Sequence, residues 1–348
     1  MKLLAIFLLL SPVRADPAPP GDDPVRVVTS LTTYAAIARE IAGERAEVVA
    51  IAQGDENPHF VQPRPSFALL LRRADLFVTT GLDLELWVPA LLDKAANPNI
   101  ASGAPGFVTA YPGIQLLDVP ATASRSQGDV HIYGNPHLWT DPVNAVIIGR
   151  NILTGLKRVA PEHSEYFESR YRDWTERVIR AYVGDELVRL LGLETIVDLG
   201  SQGKLLDFLS SQSFQGQPLI QRAGGWLKEG EVFRGKKMVC YHKEWDYFSR
   251  AFGIPCVEYI EPKPLIPPTP RHVAEVIDLM RRERIPVLFS TNYYDRNQVL
   301  SVAQRTGARA VIVPSNVGGA PGTDTYIDLV SLWIRELAAA FRAAAGDR

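Results

Sequence analysis

Ser66-Phe67-Ala68-Leu69-Leu70-Leu71-Arg72-Arg73-Ala74-Asp75-Leu76-Phe77-Val78-Thr79-Thr80-Gly81 decides the fold class. Phe67, Leu70, Leu71 and Ala74 recur at helical spacing behind Ser66, a residue type that caps helix N-termini. The apolar run 76–79 comes next and stops at Gly81. A helix that feeds directly into a strand apolar at every position points to a parallel sheet covered on both faces. Toward the N-terminus, 26–29 and 46–52 read as strands and 33–42 as the helix between them. The whole is a βαβαβ run, so the first half of the chain is α/β.

Toward the C-terminus, the second half repeats the logic. It predicts strands over 237–241, 256–260, 287–291 and 310–313, with Val273, Val276, Ile277 and Met280 at helical spacing between the second and third. Thr269-Pro270 marks that helix's start as an N-cap followed by a first-turn proline. Between the halves, Phe167, Tyr171, Trp174, Val178 and Ala181 recur at steps of four and three, the pattern of a long amphipathic helix. Unbroken over 162–191 it would span ~45 Å. Gly184-Asp185 is its weak point, because glycine destabilises a helix and aspartate caps a new one. The expected organisation is an N-terminal lobe over 24–160, a linker helix over 161–192 and a C-terminal lobe over 193–348. The fold class is α/β, two lobes with mainly parallel sheets joined by a long linker helix.

The chain has 348 residues, of which 46% are hydrophobic and 22% charged, so it can bury a large core. Its 37 Lys and Arg against 39 Asp and Glu give a net charge of -2, which offers no basic excess for nucleic acid or an anionic membrane surface. Lys2, the apolar run 3–10 and Val13-Arg14-Ala15 have the layout of a secretory signal peptide over 1–15, with cleavage after Ala15. Loss of Lys2 and Arg14 with that leader takes the net charge to -4. No cysteine near the cleavage point offers a lipid anchor, so the expected product is a free, monomeric periplasmic protein. The two cysteines, Cys240 and Cys256, are too few for a disulfide scaffold and wrongly spaced for a cysteine zinc site. A bridge between them needs Cα atoms within roughly 7 Å, which adjacent parallel strands do not guarantee, so buried free thiols are expected.

Any metal chemistry must then use histidine and carboxylate. In open parallel sheets ligands bind beyond the carboxyl ends of the strands. Four reactive residues fall in such loops: His59, His137, His242 and Asp324, two from each half. Three neutral imidazoles and one carboxylate make a tetrahedral set suited to Zn²⁺. Ordinary imidazoles would lose the ion to protons well before pH 5. Asp328, one turn beyond Asp324, is an alternative carboxylate. His163 and His272 read as solvated, His131 as no closer than the outer shell, and Glu244 as pointing to a different side of its helix from His242. Trp139, Trp245 and Tyr247 read as packing around the site. A secreted zinc hydrolase is the rival reading. It would need an open coordination position and a nearby base, and His-Glu-x-x-His is absent.

Asn135-Pro136-His137-Leu138-Trp139-Thr140-Asp141-Pro142 closely resembles the second ligand motif of the zinc and manganese solute-binding proteins of ABC transporters. Asn57-Pro58-His59-Phe60-Val61-Gln62-Pro63-Arg64-Pro65-Ser66 resembles the first. Tyr241-His242-Lys243-Glu244-Trp245-Asp246-Tyr247-Phe248 resembles the third, where zinc members carry His and manganese members usually Glu. Gly322-Thr323-Asp324-Thr325-Tyr326 resembles the fourth. The resemblance covers nearly the whole mature chain. It implies two lobes joined by one long helix, metal held in the cleft, and delivery of Zn²⁺ to an inner-membrane ABC permease with no covalent chemistry. A manganese receptor of the same family is the second reading it allows. One departure concerns the segment 124–134. Many zinc members carry a long His-rich and acidic loop there, whereas this one is short and holds only His131.

Overall fold

The structure, a computed structural model, describes residues 23–120, 131–262 and 266–346. The leader expected over 1–15 and most of the segment 124–134 lie outside the described residues. Strands β1 (Val25–Thr29), β2 (Ala46–Ala50), β3 (Leu76–Thr79) and β4 (Phe107–Thr109) form one parallel sheet in the order β2-β1-β3-β4. All four residues of β3 are buried, as its unbroken apolar run requires. A short antiparallel hairpin, β5 (Ser213–Phe214) with β6 (Gln217–Pro218), precedes the second sheet. That sheet is again parallel, with β7 (Met238–Cys240), β8 (Cys256–Tyr259), β9 (Val287–Thr291) and β10 (Arg309–Val313) in the order β10-β9-β7-β8.

Three differences from the sequence reading bear on how the site is held. The helix after His59 runs Pro65–Arg73 with Arg64 at its N-cap, so Ser66 is not the cap. Proline takes the first helical position instead, where its missing N–H costs no hydrogen bond. The linker is two helices rather than one: Ser164–Val183 ends at Gly184, and Asp185–Leu191 restarts the chain. Gly184 has φ 86°, and a Cβ there would stand 2.4 Å from the Gly224 Cα, so both backbone conformation and space demand glycine. The third difference is a bond: Cys240 and Cys256 form a disulfide, with Cα atoms 5.6 Å apart.

The Ser164–Val183 helix buries Phe167, Trp174, Val178, Ile179, Tyr182 and Val183. One continuous hydrophobic cluster includes that face and runs through both lobes, while a smaller one covers the outer side of the second sheet. Polar bonds close the seam between the lobes. Thr33 Oγ1 donates to Asn316 Oδ1 (2.8 Å), Trp139 Nε1 to the Ser315 carbonyl (2.6 Å), and Tyr326 OH to the Trp139 carbonyl (2.8 Å). Trp139 and Trp245 are completely buried, and Tyr247 with them.

The loop that leads to His59 meets the opposite lobe through bare backbone. A Cβ on Gly54 would lie 2.4 Å from Gly319 N and 2.5 Å from the Val317 carbonyl oxygen, closer than van der Waals contact allows. Gly54→Ala is therefore expected to wedge the two loops apart. The cost of such overpacking is about 1–3 kcal/mol, read as a lower urea midpoint. An unchanged midpoint would show that the loops separate freely.

Candidate metal centre

Each site histidine lies in the connection that follows a parallel strand. His59 comes after β2 on the short 3-10 turn Pro58–Phe60, and His242 lies just beyond β7. His137 opens the turn Leu138–Thr140 ahead of the helix Pro142–Val159. Asp141 caps that helix through Val143 N (2.8 Å), as its Asp-Pro signature implies. His131 lies on the same β4-to-helix connection as His137.

Four histidines converge. One ring nitrogen from each of His59, His131, His137 and His242 lies within 4.8 Å of all the others. Four nitrogens at zinc distance around one tetrahedral ion stand about 3.3 Å apart, and His59 Nε2 is 3.2 Å from His131 Nε2. Ring centroids of His59 lie 5.2 Å from His137, 5.3 Å from His131 and 5.7 Å from His242. Three of the four rings come from the first lobe and one from the second, in place of the expected two and two.

The inner nitrogens point to the centre because the outer ones are engaged. Asn57 Oδ1 accepts from both the backbone N–H (3.1 Å) and Nδ1 (2.8 Å) of His59. Asn135 Oδ1 does the same for His137, at 3.1 Å and 2.9 Å. The repeated Asn-Pro-His tripeptide is thus a device in which the asparagine two residues back fixes both the turn and the tautomer. His242 Nδ1 donates to the Glu261 carbonyl (2.8 Å). His131 Nδ1 donates to Asp83 Oδ1 (2.8 Å), whose other oxygen accepts from Ile132 N (2.8 Å). Because the Nδ1 atoms of His59, His137 and His242 each face an acceptor oxygen, the neutral tautomer that suits them leaves the Nε2 lone pair for the centre.

That arrangement fits a cation. Among the described residues His137 Nε2 and His242 Nε2 are buried with no hydrogen-bond partner, and His59 Nε2 stands 3.2 Å from His131 Nε2. A buried group left like the first two costs roughly 1–3 kcal/mol, which a metal ion would relieve. The Asn, carbonyl and carboxylate partners are the outer shell that orients metal-binding imidazoles.

Burial also sets the proton chemistry. His59 and His137 are held well below the ordinary imidazole range, first by burial and then by the neighbouring rings. His242 is lowered to about 4 by burial, against the pull of its bond to Glu261. The unfolded chain takes up protons on these rings below pH ~6.5, while folded His242 does so only near pH 4. Metal-free protein therefore loses stability as pH falls across that window, by about 3 kcal/mol from His242 alone. The same shifts move metal loss below the range of ordinary histidines. Between pH 7.5 and 5 the log of Zn²⁺ affinity should therefore fall much less steeply than three ordinary histidines would give, steepening toward pH 4. Calorimetric titrations across that range check this; a slope of about three would mean three unshifted rings.

The remaining candidates lie outside this group. Asp324 is exposed and lies outside the histidine group. Asp328 is engaged in a capping box at the start of the helix Tyr326–Gly346: its Oδ2 accepts from Thr325 N (3.2 Å) while its own N–H donates to Thr325 Oγ1 (3.1 Å). Glu244 is buried away from the histidines, bonded by Thr291 Oγ1 and by Tyr293 OH (2.5 Å), with its carboxyl pushed up to about 7 by burial. His272 Nε2 donates to the Tyr259 carbonyl (2.8 Å), and the His163 ring packs on Phe167. The sequence reading misses His131 as a member of the cluster and Asp83 as its partner. Asp83→Ala is expected to lower metal affinity about 10–100-fold, the usual cost of losing an outer partner. Affinity unchanged in that variant would deny Asp83 its orienting role.

The family model described as ZnuA, zinc-uptake complex component A periplasmic, matches residues 27–181 and 226–340. The chain belongs to this family. Its members are metal-binding receptors of ABC transporters rather than enzymes, and such receptors work with a membrane permease and its ATPase. The chain is 26% identical over 319 residues to the iron-binding protein YfeA of Yersinia pestis, covering 91% of this chain and 86% of the relative. It is 21% identical over 299 residues to the manganese ABC transporter substrate-binding lipoprotein PsaA of Streptococcus pneumoniae, covering 86% and 82%. In fold it matches a crystal structure of ZnuA with a TM-score of 0.67 at 16% identity, covering 92% of this chain and all of that one. The Mn-bound periplasmic metal binding protein of Candidatus Liberibacter asiaticus matches with a TM-score of 0.64 at 20% identity over the same shares. Among the described residues no helix is long and apolar enough to cross a membrane.

Proposed function

We propose that the chain is the Zn²⁺ receptor of an ABC importer, secreted to the periplasm as a free monomer and delivering one ion at a time to the permease. The ion is held by His59, His131, His137 and His242, with His131 taking the fourth position that the sequence assigns to Asp324. One observation carries the choice of metal: among the described residues the converging donor group contains four imidazole nitrogens and no carboxylate. Imidazole suits Zn²⁺, Mn²⁺ favours oxygen-rich surroundings, and the intrinsic order of affinities places Mn²⁺ and Fe²⁺ below Zn²⁺. Four protein ligands also complete a tetrahedral shell and leave no position for a reactive water.

Relatives named for iron and manganese make metal choice the decisive test. Apoprotein equilibrated anaerobically with equimolar Zn²⁺, Mn²⁺ and Fe²⁺, then desalted and analysed for metals, should retain one Zn²⁺ per chain and little else. Stoichiometric Mn²⁺ or Fe²⁺ retained in the presence of Zn²⁺ would reassign the cargo.

A further inference from the structure

Strand β8 is an edge strand, paired within its sheet to β7. That pairing is irregular. Met238 stands opposite Cys256 and Cys240 opposite Tyr259, so three residues of β7 face four of β8. An extra residue of this kind interrupts the ladder and weakens the definition of register beyond it. Register matters at this edge because the chain beyond β8 supplies the acceptor for a site histidine. Past the bulge, Ile260 N donates to the Cys240 carbonyl (3.1 Å) and Glu261 N to the Tyr241 carbonyl (2.7 Å). Only in this register does the Glu261 carbonyl come within 2.8 Å of His242 Nδ1. A slip by one residue would carry that carbonyl about 3.3 Å along the strand and leave His242 without its acceptor.

The disulfide spans the irregular stretch. It joins Cys240, two residues before His242, to Cys256, the first residue of β8. We propose that the Cys240–Cys256 bond is a register pin for the metal centre: by tying β8 to β7 across the bulge it keeps the Glu261 carbonyl against His242 Nδ1 and so aims His242 Nε2 at the other three rings. The two cysteines are positioning residues that act through His242, an assignment that rests on the four-histidine reading of the site. The second lobe contributes a single ring to that site, so its hold on the ion depends on the aim of this one side chain.

A double-mutant cycle on the full mature chain separates this role from general stiffening. Zn²⁺ affinity is measured by competition with a chromophoric chelator for wild type, Cys240→Ala/Cys256→Ala, His242→Ala and the triple variant. The cysteine pair is expected to cost about 10–100-fold with His242 present, as for other outer supports of metal ligands. With His242 already alanine, the same pair should change affinity less than about threefold, since no ring remains to be aimed. An equal loss in both backgrounds, or no loss in the first, overturns the proposal. If His242→Ala alone keeps wild-type affinity, the four-histidine reading fails and the pin falls with it. Should the alanine pair fail to fold, Cys240→Val/Cys256→Val places strand-favouring residues at the same positions and is read in the same way.

Discussion

His137→Ala is expected to lower Zn²⁺ affinity by roughly 10²–10³-fold. Structural zinc sites with four ligands bind with apparent free energies of about 10–16 kcal/mol, or ~2.5–4 kcal/mol per ligand, and each 1.4 kcal/mol is a factor of ten. His137 is completely buried, its Nε2 has no partner among the described residues, and its ring lies against those of His59, His131 and His242. Alanine would also leave Asn135 Oδ1 without the ring N–H it now accepts. That amide is tied elsewhere, because Asn135 Nδ2 donates to the Lys243 carbonyl (2.7 Å) in the opposite lobe. The loss should therefore appear in metal affinity more than in folding. Wild-type affinity in this variant, measured by chelator competition, would remove the basis for the site.

His131→Ala is expected to cost about as much, and Asp324→Ala only a few-fold at most. The sequence alone ranks these two residues the other way round. His131 is 5% exposed, its Nε2 faces that of His59, and its Nδ1 is held by the buried Asp83 carboxylate. Asp324 has no such surroundings: it is exposed and outside the converging group. Calorimetry on the two single variants under identical conditions gives the ordering directly. A large loss for Asp324→Ala with none for His131→Ala would restore the three-histidine, one-carboxylate set.

What the sequence reveals and what it hides have physical causes. Strands such as Leu76–Thr79 and Val287–Thr291 are legible because every residue in them is apolar or small enough to bury, and all of their positions are buried. Phe107–Thr109 is three residues long, too short to carry any periodicity. His59, His137 and His242 are legible because each lies beyond a strand and sits in a distinctive local motif. His131 has the same location but no motif of its own. The carboxylate that recruits it, Asp83, is 48 residues away in the β3 loop, a pairing no local reading exposes. The disulfide is hidden for a related reason: adjacent parallel strands do not by themselves bring two cysteines into bonding range, and the bulged pairing of β7 and β8 leaves no mark in the sequence. Asp324 draws attention through its place before Tyr326 and the final helix, which describes the chain but not where the loop Gly318–Thr323 carries it; that loop closes on itself through Gly318 N and the Thr323 carbonyl (2.7 Å).

The central claim is that four imidazoles alone hold the ion. A crystal structure of the Zn²⁺-loaded protein with anomalous data at the zinc edge tests it most directly. The account predicts one anomalous peak per chain, about 2.0–2.1 Å from the Nε2 atoms of His59, His131, His137 and His242 in a tetrahedral shell. A peak bonded to Asp324 Oδ, with His131 beyond bonding distance, would contradict it.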